Sequence, residues 1–231
     1  MTITDNIARL RDDIHEAAHK SGRTGPDIAL VAATKTQDPV TVKTAVAAGV
    51  DACGENRVQE LVEKQAARAY TGAPVHFIGH LQKNKIRKVV GAVDLIQSVD
   101  SLPLLHAIDR VAQEMQITQD ILIQVNIGKD PDKFGVHQPE LESFLEQTGN
   151  YPHIRVRGLM TMLPLEADEK ETRVLFARMN HVFVDIRAKM YNNIGIDILS
   201  MGMSGDFTDA IIEGANMIRV GSTIFGNRHY R

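Results

Sequence analysis

Lys35 closes an apolar run, Ile28-Ala29-Leu30-Val31-Ala32-Ala33-Thr34-Lys35, that reads as one buried strand. In a parallel α/β protein, active sites are built at the C-terminal ends of strands. Apolar surroundings disfavour an ammonium ion, lower its pKa and release an amine able to attack a carbonyl carbon. Lys35 is therefore a candidate Schiff-base lysine; the position also suits an ordinary lysine just past a strand end. Two other segments carry a different chemistry. Phosphate is held by backbone N–H groups, hydroxyls and the positive end of a helix. Ser204-Gly205-Asp206 opens a helix and Gly221-Ser222-Thr223 follows the last strand, so both are candidate phosphate loops. Plain helix capping and an ordinary turn are the alternatives. Arg219 stands two residues before Gly221, on the same face of its strand by period-two alternation. A buried arginine needs a partner, either a structural carboxylate or a ligand.

Other patterns carry less. His15-Glu16-Ala17-Ala18-His19 matches the zinc-protease spacing H-E-x-x-H. That helix precedes the first strand, away from the strand ends, and no further ligand cluster accompanies it. Lys83-Asn84-Lys85-Ile86-Arg87-Lys88 is a basic run, either a solvated helix face or a guide for an anionic ligand. A charged loop runs from Gly128 to Gly135, His76 lies within a strand, and Cys53 reads as a small buried residue.

These groups must be positioned by an alternation of short apolar runs and longer helical segments. Strands are expected at 28–35, 51–53, 75–79, 93–97, 121–126, 154–160, 198–200 and 217–220. An opening helix is expected at 6–20. Others begin at Asp38-Pro39, pass through Val58, Leu61 and Val62, and cover 84–90, 101–114, 139–146, 169–190 and 206–214. Repeated β-then-α order implies a parallel sheet. Eight such units in this length suggest an α/β fold, a (β/α)8 TIM barrel with an extra N-terminal helix, with a doubly wound sheet as the alternative. One domain spanning 1–231 is expected.

The 231 residues, 43% of them hydrophobic, suffice for one such core. A net charge of −3 gives no electrostatic footprint for nucleic acid. With 5% aromatics and no tryptophan, platforms for base stacking are scarce. A single cysteine excludes an intramolecular disulfide and fits a reducing compartment. No apolar stretch reaches the ~18 residues of a membrane span, and Met1-Thr2-Ile3-Thr4-Asp5 does not read as a secretory signal. The expectation is a cytoplasmic protein without membrane or nucleic-acid partners.

Several motifs are recognisable together: Thr34-Lys35-Thr36, the stretch Gly54-Glu55-Asn56-Arg57-Val58-Gln59-Glu60, the stretch from His76 to Lys85, Arg157-Gly158-Leu159-Met160, the stretch from Ser200 to Asp206, and the stretch from Arg219 to Gly226. Jointly they closely resemble the pyridoxal phosphate homeostasis protein family (YggS/PROSC), from about residue 28 to the C-terminus. The resemblance implies a barrel like the N-terminal domain of alanine racemase, holding pyridoxal 5′-phosphate (PLP). Lys35 would form the internal aldimine. Ser204, Gly221 and Ser222 match the positions that hold the phosphate, with Ser200 as a neighbour. Arg219 matches the arginine facing the pyridine nitrogen, and Asn56 matches a pocket-lining asparagine. No metal is implied. The chain departs from the pattern at Arg57, where an aromatic residue often stands, at His80, where many members have proline, and at Cys53, commonly phenylalanine. These departures concern the rim and leave the lysine and the phosphate loops in place.

Racemisation needs a base on each face of the cofactor, and a racemase of this fold takes a tyrosine from a second domain of its partner chain. This sequence stops at Arg231, just after the eighth expected strand. Its four tyrosines, Tyr70, Tyr151, Tyr191 and Tyr230, lie away from the expected strand ends. An arginine stays protonated and donates to an unprotonated pyridine nitrogen. That weakens the electron sink of PLP carbanion chemistry. The resemblance thus implies a non-catalytic, monomeric carrier that supplies PLP to apo-enzymes, with effects on B6 vitamers and on amino and keto acid pools. A PLP-dependent amino acid racemase and a Schiff-base aldolase are the rival readings.

Overall fold

The computed structural model describes residues 2–164, 166–189, 191 and 194–226. Met190, the expected end of the longest helix, and Tyr230 lie outside the described residues. In chain order the elements are α1 (Ile3–Lys20), β1 (Ala29–Ala33), α2 (Pro39–Ala47), β2 (Ala52–Glu55), α3 (Val58–Ala66), β3 (Val75–Phe77), β4 (Leu95–Val99), α4 (Leu102–Glu114), β5 (Gln119–Asn126), β6 (Val136–His137), α5 (Leu141–Thr148), β7 (Ile154–Met160), α6 (Glu169–Ala188), β8 (Ile194–Ser200), α7 (Phe207–Ile212), β9 (Met217–Val220) and α8 (Ser222–Phe225). The chain divides into two compact units, Met1–His76 with Met201–Arg231, and Phe77–Ser200.

In the first unit, α1 starts at a reciprocal cap: the Asp5 N–H donates to Thr2 Oγ1, and the Thr2 N–H donates to Asp5 Oδ2. Its stripe of Ile7, Leu10, Ile14, Ala17 and Ala18 is buried, as the helical spacing predicts. His15 and His19 are exposed on the other face. Among the described residues no three metal-ligating side chains gather. Arg23, just past α1, donates to the carbonyls of Ile211, Gly214 and Ala215 and so closes the C-terminal end of α7. β1 pairs in parallel with β2 on one side and β9 on the other. Asp38 caps α2, its Oδ1 accepting from the Val40 and Thr41 N–H groups, with Pro39 in the first turn.

β1 ends at Ala33, two residues earlier than expected. Thr34 still donates its N–H to Gly54 O, 2.9 Å away. Thr36 then takes φ +64°, a left-handed conformation that no strand accommodates.

In the second unit, β5 pairs in parallel with β4 and β7, and β7 pairs with β8. Asp120, Arg155, Arg157 and Asp197 form an ion network across β5, β7 and β8. Several elements differ from their expected bounds: β4 is Leu95–Val99 rather than 93–97, β5 starts at Gln119 rather than 121, and α5 is Leu141–Thr148 rather than 139–146. The basic run forms a 3₁₀ helix at Lys83–Lys88, β8 starts at Ile194, and the two-residue β6 adds to the end of β5 at Val125 and Asn126. Among the described residues no helix is long and apolar enough to cross a membrane.

Candidate functional site

The first unit gathers six of the seven expected site residues around the C-terminal end of β1. Ala33 lies opposite Gly54, so Lys35 and Asn56 leave β1 and β2 side by side. On the other flank Val31 lies opposite Arg219 and Ala32 opposite Val220. Gly221 therefore follows beside Ala33, close enough that a Cβ on Gly221 would stand 3.4 Å from the Ala33 Cβ. The Gly221 N–H donates to Ser204 Oγ at 3.1 Å, which ties the two candidate phosphate loops to each other. The Ser204 loop is set by Gly202. Its φ is +94°, and a Cβ there would fall 2.6 Å from the Ala210 Cβ of α7. Lys35 is half-buried and Ser222 is exposed.

Ser200 belongs to the second unit. There it is buried, and its hydroxyl donates to Gln97 Oε1 at 2.7 Å.

Arg219 is 4% exposed. Burial lowers its pKa to about 10, against the attraction of Asp206, so it still carries its charge at neutral pH. Burial raises the Asp206 carboxyl, opposed by the Met203 N–H bond of 2.5 Å and by Arg219. Asn56 Oδ1 is buried with no hydrogen-bond partner. Leaving such an acceptor unsatisfied costs about 1–3 kcal/mol, which a donor on a ligand would relieve.

Sequence reasoning missed a charged network under the Lys35 segment. Lys64 Nζ, on α3, donates to Glu55 Oε1 at 2.6 Å, to Glu60 Oε2 at 3.0 Å and to the Thr34 carbonyl at 2.7 Å. Thr34 Oγ1 also donates to Glu55 Oε1, at 2.5 Å, and the Thr36 N–H donates to Glu60 Oε2, at 2.6 Å. Lys64 and Glu55 are buried. The available signal was Glu60 and Lys64 spaced i,i+4, with Lys64 on the buried phase of Leu61. Burial raises the phenol pKa of Tyr70, and the Glu55 charge adds to this.

The remaining candidates lie elsewhere. His76 is buried within β3. In the second unit His80 stacks on Phe134, with centroids 3.8 Å apart, and its Nδ1 is 3.6 Å from Asp100. The charged loop is organised by Asn126, whose amide donates to the Asp130 and Lys133 carbonyls and accepts from the Asp130 N–H.

Residues 6–229 match the family described as alanine racemase, N-terminal domain. An alanine racemase from Clostridium difficile superimposes with a TM-score of 0.76 at 15% identity, over 98% of this chain and 57% of that one. The fold class is therefore α/β, an eight-stranded parallel (β/α)8 barrel of the alanine racemase N-terminal type. Within that class, the pyridoxal phosphate homeostasis protein of Aquifex aeolicus is 35% identical over 230 residues, covering 100% of both chains. Its Escherichia coli K12 counterpart is 34% identical, over 99% of this chain and 97% of that one. Synechococcus elongatus PipY, solved with PLP bound, superimposes with a TM-score of 0.85 at 34% identity, over 97% of this chain and 100% of that one. The chain belongs to the pyridoxal phosphate homeostasis protein family.

Proposed function

We propose that this protein binds PLP at Lys35 and serves intracellular PLP homeostasis. In this reading it is a cytoplasmic, monomeric, single-domain carrier that supplies the cofactor to apo-enzymes and does not turn over amino acids. The observation that carries the reading is the convergence on one strand end of an amine, a buried guanidinium and two hydrogen-bonded hydroxyl and glycine loops.

The residues fit the group. Bound PLP supplies an electrophilic aldehyde carbon, a basic ring nitrogen and a phosphate dianion. Lys35 provides the nucleophilic amine for the first. Arg219 is charged at neutral pH and donates to the ring nitrogen without protonating it. This favours retention of the cofactor over carbanion chemistry. Ser204 Oγ accepts from Gly221 N and keeps its own proton to donate to a phosphate oxygen. Ser222 adds a second hydroxyl. The unsatisfied Asn56 Oδ1 takes a donor. The hydroxyl of Ser200 is engaged by Gln97, so Ser200 is proposed only as a neighbour of the phosphate loops.

The test is the visible absorbance of the purified protein before and after borohydride, with peptide mapping of the reduced adduct. Wild type is expected to lose its band and carry the label on Lys35. Lys35→Ala is expected to have neither. Absence of a band after PLP addition, or a label on Lys83 or Lys133 instead, overturns the assignment. Alanine incubated with the loaded protein in D₂O is expected to keep its α-proton; deuterium exchange would support the racemase reading, and formation of the other enantiomer would establish it.

A further inference from the structure

We propose that Glu60 and Lys64 are positioning residues that hold the backbone from which the Lys35 amine works. The inference rests on Lys35 being the PLP lysine.

Both peptide groups flanking Lys35 are gripped from α3. The carbonyl before it, of Thr34, accepts from Lys64 Nζ at 2.7 Å. The N–H after it, of Thr36, donates to Glu60 Oε2 at 2.6 Å. Glu60 and Lys64 are one helical turn apart and bonded to each other at 3.0 Å. Lys64 is also fixed from β2 by Glu55 at 2.6 Å.

Two features exceed what packing requires. Desolvating Lys64 and Glu55 is expensive, and well-packed apolar residues often serve a core as well or better. Thr36, a β-branched residue, is held at φ +64°, where such side chains are genuine outliers. Strained backbone of this kind persists only where its surroundings over-determine it, and it clusters at functional sites. Here the surroundings are the Thr34–Gln37 turn, closed by the Gln37 N–H on the Thr34 carbonyl at 3.1 Å, together with Glu60 on the Thr36 N–H, and the strained residue adjoins the proposed nucleophile. The clamp pre-organises Lys35, so an incoming aldehyde meets an amine already in place.

The decisive variant is Glu60→Ala. One readout needs no cofactor: competitive acetylation of the apo protein, resolved at the Lys35 peptide. The other is the rate of PLP capture, followed by absorbance. Glu60→Ala is expected to change Lys35 reactivity and to slow capture roughly tenfold. Glu60→Gln keeps a weaker, neutral acceptor for the Thr36 N–H and is expected to slow capture about threefold. Adding Thr36→Gly to Glu60→Ala is expected to restore most of the rate, because glycine adopts positive φ without steric cost.

Unchanged acetylation and capture in a folded Glu60→Ala overturn the clamp while leaving the PLP reading intact. Failure of Thr36→Gly to rescue also overturns it. If Glu60→Ala does not fold, Glu60→Gln decides, and wild-type behaviour in that variant overturns the proposal. PLP still fixed by borohydride in Lys35→Ala would instead remove the reading on which the clamp rests.

Discussion

Cys53 is one residue whose chemistry the fold suppresses. It lies in β2, fully buried. Burial pushes its thiol up to about 12 from 9.0; the nearby Glu55 charge adds to this and Lys64 opposes it. A thiolate is the reactive form, so Cys53 is expected to resist iodoacetamide in the native protein and to react only on unfolding. Below the unfolded pKa both states keep the proton, and the shift has no effect on stability. Above it the unfolded chain releases a proton that the folded chain retains, so stability falls as pH rises from about 9 towards 12. At pH 10 the loss is about 1.4 kcal/mol. Unfolding free energies from urea melts should fall between pH 8 and pH 10 by about 1.4 kcal/mol more in wild type than in Cys53→Ala. Equal falls would show that the thiol does not titrate differently on unfolding.

At the scale of elements, the Glu55, Glu60 and Lys64 network ties the segment that follows β1 to β2 and α3. Lys64→Met has nearly the same shape but strands Glu55 in the interior. Breaking a buried pair in this way costs about 3–5 kcal/mol. Glu55→Gln with Lys64→Met removes both charges and is expected to recover most of the loss, as a double-mutant cycle in denaturant would measure. Additive losses would mean that the two side chains act independently. The network also marks where the sequence stops being legible. β7 and β9 match their expected bounds because their apolar runs are local signals. The α2 start was legible at Asp38-Pro39 for the same reason. The Ser204 and Gly221 loops carried their chemistry in adjacent residues. Lys64 did not, because apart from Glu60 on its own helix its partners are Glu55 of β2 and the Thr34 carbonyl after β1, which it meets only in the folded chain. Thr36 contradicts its own local preference, so nothing local predicts its turn. β6 depends on the loop built around Asn126 and on Gly135, where a Cβ would lie 2.6 Å from the Asn126 backbone nitrogen. A two-residue strand of that kind leaves no periodicity to read.

At the scale of the whole molecule, the candidate site is drawn from both ends of the sequence. Lys35 and Asn56 come from the segment Met1–His76, while Ser204, Arg219, Gly221 and Ser222 come from Met201–Arg231. β1 is paired on one side by its sequence neighbour β2 and on the other by β9, near the far end of the chain. Such non-local pairing carries a loop-closure cost that is met before its contacts form. A ligand that spans Lys35 and the Ser204–Gly221 loops binds only when both segments are assembled. It therefore stabilises that assembly by mass action, by about 2.7 kcal/mol at a free concentration 100 times Kd. For a chain of this size that corresponds to a Tm rise of roughly 5–10 °C. Inorganic phosphate, touching only the C-terminal loops, is expected to give a small fraction of the rise. Gly221→Val places bulk against Ala33 and should remove most of the PLP effect; Lys35→Ala should leave only the non-covalent part. A PLP-induced rise of equal size in wild type, Gly221→Val and Lys35→Ala would place the stabilising site elsewhere on the molecule. No rise in wild type at saturating PLP would mean that the two ends of the chain are not joined through the cofactor.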